Sequence, residues 1–400
     1  MTTTTVSRLL SLSRPRKRTS QARNPTQSEK GKRREATIKT RVWREINEHV
    51  TAVVDASFRA DGEEDADEDD DGLGGVVSDA AALEMYLRLE SGKQRDCVEK
   101  FVSEEERENM LSAMSMAVGG VVEDSRGDMN GTMKSSEKLR EAERAADILR
   151  THGLVFLKSV VPEETCDEIL ADLNAICDEC KETYGDALRR TDVLLGLGDE
   201  DDDDSNNNDG KINGVKKALE SACKEEGGNI RNILSYIEDA TEDAVLVELS
   251  VLATEKGADR QVLHPDVAYD APHETLYSVF IALQDVTQDM GPTLFVLNSH
   301  DKQTHDQLPK TKWTEKEFDI LRTKTCAEAL LKKGDAVLYN ARAFHQGGEN
   351  TRGRRALLTL TFLKPPVPPE PTRRNKGKCL WSIREDVFRK QFTAKELAGG

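Results

Sequence analysis

The 400-residue sequence contains no apolar run approaching the roughly 20 residues that a membrane-crossing helix requires, and its longest apolar stretches have the length of buried strands. It lacks a secretory h-region at the N-terminus. Its seven cysteines are scattered and odd in number, which argues against a disulfide framework and fits free thiols in a reducing, intracellular compartment. It lacks positive charge overall: the net charge of -17 argues against nonspecific nucleic-acid binding by the whole chain. The C-terminal Leu397-Ala398-Gly399-Gly400 carries no peroxisomal address. The CxxC formed by Cys177 and Cys180 has no second CxxC to complete a zinc site. It falls instead in the series Ile169, Leu173, Ile176, Cys177, Cys180, the apolar face of a helix, so core packing is expected. What is present is a hydrophobic fraction of 37%, enough for one sizeable core, beside 33% charged residues and a mean hydropathy of -0.61, which leave much of the chain solvated.

Composition divides the chain. Residues 1–45 are rich in Ser, Thr and Arg, with no hydrophobic period, and read as a disordered basic segment. Such a segment suits mitochondrial or plastid import, a nuclear-import patch around Arg14, Arg16, Lys17 and Arg18, or a plain solvated tail in a cytoplasmic protein. Residues 46–134 are expected to be an acidic linker and a helical extension, with Leu83, Tyr86, Leu87 and Leu89, then Val98, Phe101 and Val102, at near-helical spacing. The compact domain is expected over 135–366 and a C-terminal extension over 367–400. The domain opens with a helix from Ser135 or Ser136 to Arg150, broken by Gly153. A buried strand at Leu154–Leu157 and a helix starting at Pro162 follow. The Asp/Asn run 199–209 is read as a loop insert, because it lacks the ordered ligands of an EF-hand. From about residue 244 short β-type runs recur (276–283, 293–297, 336–339, 356–362) with Gly and Pro between them, the pattern of a sandwich or barrel.

Two ligand-type residues at i and i+2 on extended backbone point to one face, as His264 and Asp266 would around Pro265. A later histidine, His345, follows the turn and strand Gly334–Tyr339 and can complete a set of two imidazoles and one carboxylate. That set leaves three open positions on an octahedral iron(II), the arrangement of oxygen-activating sites. Arg355 opens the apolar run Ala356–Leu360. A guanidinium on a buried strand requires a carboxylate partner, and that strand offers none. Alternation turns only one of Arg354 and Arg355 inward, and Arg355 is the better candidate.

These pieces, with Gly153–Lys158, Gly257–Asp266, Ile281–Thr293 leading to Asn298-Ser299-His300, and Gly334 through His345 to Arg355, resemble the phytanoyl-CoA dioxygenase family of Fe(II)/2-oxoglutarate-dependent oxygenases. The resemblance runs from about Gly153 to Lys364. It implies an α+β chain whose core is a double-stranded β-helix (jelly-roll, cupin-like) with flanking helices. It implies iron held by His264, Asp266 and His345, 2-oxoglutarate anchored by Arg355, and dioxygen as the other co-substrate. Phe280 matches the aromatic position that flanks the co-substrate, and Thr293 and Gly347 match pocket-lining positions. His300 matches a structural marker and is not a ligand. His273 and His305 are left as surface or supporting residues, and His49 and His152 have no partner pattern. Relatives that halogenate lack the carboxylate ligand; with Asp266 present, hydroxylation of a small organic molecule is expected, 2-oxoglutarate leaving as succinate and CO2. The alternatives are a non-catalytic cupin-like binding or scaffold protein, and an oxygenase that modifies a protein partner. Neither substrate identity nor oligomeric state follows from the sequence.

Overall fold

The computed structural model describes residues 38–47, 50–58, 92–103, 105–106, 135–185, 188–197, 212–224, 229–237, 241–267, 269, 276–308, 314–367 and 382–399. The acidic insert 199–209, the series Leu83, Tyr86, Leu87 and Leu89, His49 and His273 lie outside the described residues. In chain order the strands are β1 (Ile38–Asn47), β2 (Val50–Phe58), β3 (Lys100–Phe101), β4 (Leu154–Leu157), β5 (Leu188–Leu194), β6 (Val245–Thr254), β7 (Leu276–Ala282), β8 (Thr293–Val296), β9 (Thr325–Glu328), β10 (Ala336–Asn340), β11 (His345–Gly347) and β12 (Arg355–Leu363).

They form two sheets. An eight-stranded sheet has the order β1-β2-β5-β6-β12-β7-β10-β4, and a four-stranded sheet has the order β11-β8-β9-β3. From β6 onward the chain winds between the sheets: β6 and β7 lie in the large one, β8 and β9 in the small one, β10 in the large, β11 in the small and β12 in the large. That alternation is the double-stranded β-helix, or jelly roll. All the pairs are antiparallel except β3 with β9.

The outer face of the large sheet is covered by the helices Ser135–His152, Glu163–Tyr184, Val215–Cys223 and Ile230–Ser235. Val251, Val279, Leu338 and Leu358 from four strands meet Ala145, Ile169 and Ile233 there in the main core. Alternate residues point the other way, into the space between the sheets, where Phe156, Ala282, Phe295, Val337, Tyr339 and Leu357 form a second cluster. Cys177 and Cys180 lie buried in the helix Glu163–Tyr184, as the apolar series predicts. Gly153 ends the first helix at φ 80°, and a Cβ there would stand 2.6 Å from His300 Nδ1, which ties two of the motifs together.

Four local readings are corrected. The helical spacing of Val98, Phe101 and Val102 does not give a helix: among the described residues the helical stretches here are 92–96 and 105–106, and Lys100–Phe101 pairs in parallel with Thr325–Cys326. The free edge of β9 supplies backbone partners that a three-residue helical pattern cannot outweigh. Strand β1 starts at Ile38, inside the segment expected to be structureless, and β2 occupies 50–58 of the expected linker. Both extend the large sheet through β5, satisfying an edge that would otherwise be bare. The opening helix continues two residues past Arg150, to His152.

Candidate metal and co-substrate site

His264 lies outside regular strand. It makes a single antiparallel bridge with His345, each backbone N–H donating to the other residue's carbonyl at 3.0 and 2.9 Å. Pro265 follows with no N–H to donate, so the ladder cannot continue; the expectation that His264 and Asp266 share a full strand is met only by this bridge. His345 opens β11 and is paired with Phe295 of β8. The bridge sets the two imidazoles side by side, with ring centroids 4.8 Å apart.

The donor atoms of His264, Asp266 and His345 all lie within 4.8 Å of one another. His264 Nδ1 is 2.6 Å from the carbonyl of Val262, and His345 Nδ1 is 3.0 Å from that of Ala343. A carbonyl can only accept, so both Nδ1 atoms carry the proton and both Nε2 atoms keep a lone pair for a metal. His345 Nε2 stands 3.6 Å from Asp266 Oδ1. The other oxygen, Oδ2, accepts the Tyr339 hydroxyl at 2.9 Å, which fixes the carboxylate's rotation. Burial, helped by His345, holds His264 well below its ordinary 6.5, so this imidazole is neutral and fit to ligate. Burial and Asp266 push the Tyr339 phenol well above 10, so it stays a donor.

Arg355 begins β12 opposite Thr254 and is 2% exposed. Its Nη1 donates to the Gly291 carbonyl and its Nη2 to Thr254 Oγ1 at 3.3 Å, both neutral, and its buried Nε has no partner. Burial alone pulls it down to about 10, so it remains a cation at neutral pH, with no carboxylate among the described residues to offset that burial. A buried cation of this kind costs several kcal/mol unless an anion joins it. The chain neighbour Arg354 faces the opposite way and is saturated by Glu255, Asn174 and Asp178 at 2.5, 2.8 and 2.8 Å.

The pocket residues expected from the sequence cluster here. Gly347 pairs with Thr293 across β11 and β8; a Cβ on Gly347 would lie 2.7 Å from Gln261 Oε1 and 3.6 Å from Arg355 Nη2, so a bare residue leaves room beside the guanidinium. Phe280 is half-buried, its ring 5.0 Å from Tyr339 and 6.5 Å from His345. Gly291 has φ 67°, and a Cβ would stand 2.5 Å from the Gly348 carbonyl, so only glycine lets its own carbonyl reach Arg355. His300 and His305 bond to the carbonyls of Arg150 and Arg342 and take no part in the cluster. Sequence reading missed Tyr339, Thr254 and Gln261. The strand run containing Tyr339 was legible, and its odd-numbered face could have been matched to the site had the register been known.

A jelly roll with this donor set beside a buried, anion-seeking guanidinium defines the class of Fe(II)/2-oxoglutarate-dependent oxygenases. The description of the family "Phytanoyl-CoA dioxygenase (PhyH)" matches residues 149–356, more than half of the chain. The chain belongs to the phytanoyl-CoA dioxygenase family. It is similar to the dioxygenase swnH2 of Arthroderma benhamiae, 25% identical over 271 residues that span 64% of this chain and 80% of that protein. Among solved structures it is similar to AviO1 from Streptomyces viridochromogenes Tue57, with 18% identity, a TM-score of 0.41, and coverage of 57% of this chain and 97% of that one. The non-heme alpha ketoglutarate dependent epimerase SnoN from nogalamycin biosynthesis has 20% identity and a TM-score of 0.41, covering 60% of this chain and 95% of that one.

Proposed function

We propose that this protein is an iron(II)- and 2-oxoglutarate-dependent dioxygenase that hydroxylates a small organic molecule. The observation that carries the reading is the convergence of His264, Asp266 and His345 in the barrel that also buries Arg355 with no acidic partner among the described residues. In this reading the three residues hold iron through two neutral imidazoles and one carboxylate. Arg355 takes the distal carboxylate of 2-oxoglutarate, and Thr254 and Gly291 aim the guanidinium. Phe280, Thr293 and Gly347 shape the space between. Iron and 2-oxoglutarate, when bound, supply the oxidising power: one oxygen atom enters the substrate and the other enters succinate as CO2 is lost. The protein's part is to orient the substrate and keep water out; Phe280, Phe295 and Tyr339 around His345 make that space largely apolar.

The test is succinate formation by anaerobically purified protein reconstituted with iron(II) and 2-oxoglutarate, with and without oxygen. Oxygen-dependent succinate is expected, abolished by His345→Ala and needing far more 2-oxoglutarate in Arg355→Ala. If neither iron nor 2-oxoglutarate binds, the scaffold reading replaces this one.

A further inference from the structure

The backbone bonds that lead to His264 do not advance evenly on their two sides. The Gln261 N–H donates to the Gly347 carbonyl at 2.9 Å, and His264 and His345 exchange both of their bonds. Between those pairings one side moves three residues, from 261 to 264, and the other moves two, from 347 to 345. The extra residue is a β-bulge, which leaves one N–H with no place in the ladder. That N–H belongs to Leu263, which is 1% exposed, so it needs a partner from within the protein.

The partner is Gln94. Its Oε1 accepts the Leu263 N–H at 2.9 Å across 169 residues of chain, and Gln94 is 0% exposed. It sits in the helical turn 92–96, well before residue 149, where the family match begins. Three contacts fix that turn. Cys97 and Val98 pack into one cluster with Leu263, Leu294, Val296 and Phe344. Arg95 pairs with Glu328 at 3.5 Å, and β3 follows directly, paired with β9. A hydrocarbon at position 94 would be buried at lower cost, because Gln94 Nε2 finds no acceptor among the described residues. What position 94 supplies is therefore the oxygen.

The peptide that Gln94 grips is the one that orients a metal ligand. The Leu263 N–H and the Val262 carbonyl belong to one planar trans unit and point in opposite directions. That carbonyl accepts from His264 Nδ1 at 2.6 Å. Gln94, the peptide 262–263 and the His264 imidazole thus form a single chain of hydrogen bonds, in which each bond polarises the next. We infer that Gln94 is a positioning residue of the metal site. It holds the peptide 262–263 in place, and this peptide keeps the His264 proton on Nδ1 and the Nε2 lone pair turned toward Asp266 and His345. The assignment rests on the oxygenase reading for what Nε2 binds, and on the hydrogen bonds alone for the tautomer.

Gln94→Met keeps the length and the apolar packing of the side chain and removes the acceptor. In the metal-free full chain, imidazole nitrogen NMR is expected to show His264 as the Nδ1–H tautomer alone, and as a mixture of both tautomers in Gln94→Met. Anaerobic calorimetric titration with iron(II) is expected to show about tenfold weaker binding in that variant. Val98→Ala loosens the same segment without touching the bond, so it lowers the urea midpoint and leaves the tautomer and the iron affinity in place. The Leu263 amide of the unaltered protein is expected to exchange with deuterium as slowly as those of His264 and His345, a readout that needs no variant to fold. An unchanged tautomer or an unchanged iron affinity in folded Gln94→Met overturns the inference. So does an iron affinity that falls equally in Val98→Ala, or a Leu263 amide that exchanges as fast as an exposed one. A tautomer change in Gln94→Met, with no iron bound by either protein, keeps the hold of Gln94 on His264 and removes the oxygenase reading instead.

Discussion

Arg354 and Arg355 are adjacent in the chain and opposite in fate. The strand's period of two turns one toward Glu255 and Asp178 and the other into the barrel beside Gly291 and Thr254. Arg355→Lys keeps a charge but loses the planar fork, so 2-oxoglutarate affinity measured by titration should fall about tenfold to a hundredfold. Arg354→Lys should leave that affinity unchanged, because its bonds lie on the outer side of the sheet. In the proposed site Tyr339 would act on the metal through Asp266. Tyr339→Phe removes the 2.9 Å bond to Oδ2 and frees the carboxylate to rotate, so iron affinity should fall about tenfold to a hundredfold with the apolar packing kept. An unchanged iron titration in that variant would show that the phenol does not hold Asp266.

Among the elements, β12 does two jobs at once. It pairs with β6 and β7, carries Arg355 on its inner face, and packs Leu358 into the helix-covered core on its outer face. Leu358→Ala should lower unfolding free energy by about 2–5 kcal/mol in urea titration, because closely packed neighbours cannot fill the space. The helix Glu163–Tyr184 carries the CxxC on its buried face, and burial pushes Cys177 up to about 12. Burial pushes Cys166, Cys223 and Cys326 to about 12 as well. Thiols this hard to ionise should resist iodoacetamide in the native protein at neutral pH and react once urea unfolds it, as mass spectrometry would read. Rapid native labelling of Cys177 would count against the core-packing reading of the motif.

Across the whole molecule, stability and ligand binding are linked. A metal and an anionic co-substrate that bind only the folded chain raise its stability by about 2.7 kcal/mol at a hundred times the dissociation constant. Iron(II) should therefore raise the thermal midpoint, and 2-oxoglutarate should raise it further. Arg355→Ala is expected to lose the second increment and keep the first; His345→Ala should lose both. No helix among the described residues is long and apolar enough to cross a membrane.

Spacing, taken together with the family resemblance, made part of the candidate site readable: an i, i+2 pair around a proline, a histidine after a Gly-Asp turn, and an arginine opening an apolar strand. These are local features, and extended backbone converts sequence parity directly into side-chain direction. The strands at 276–283, 293–297, 336–339 and 356–362 were legible for the same reason, and Cys177 and Cys180 fell into the core because their helical period said so. What the chain could not reveal from within itself is register and pairing between segments distant in sequence. Lys100–Phe101 is a strand because β9 offers an edge, and Tyr339 meets Asp266 because β10 lies beside β7 across from the His264–His345 bridge. Gln94 meets the Leu263 N–H across 169 residues of chain, so only the tertiary fold brings its oxygen to the peptide beside His264.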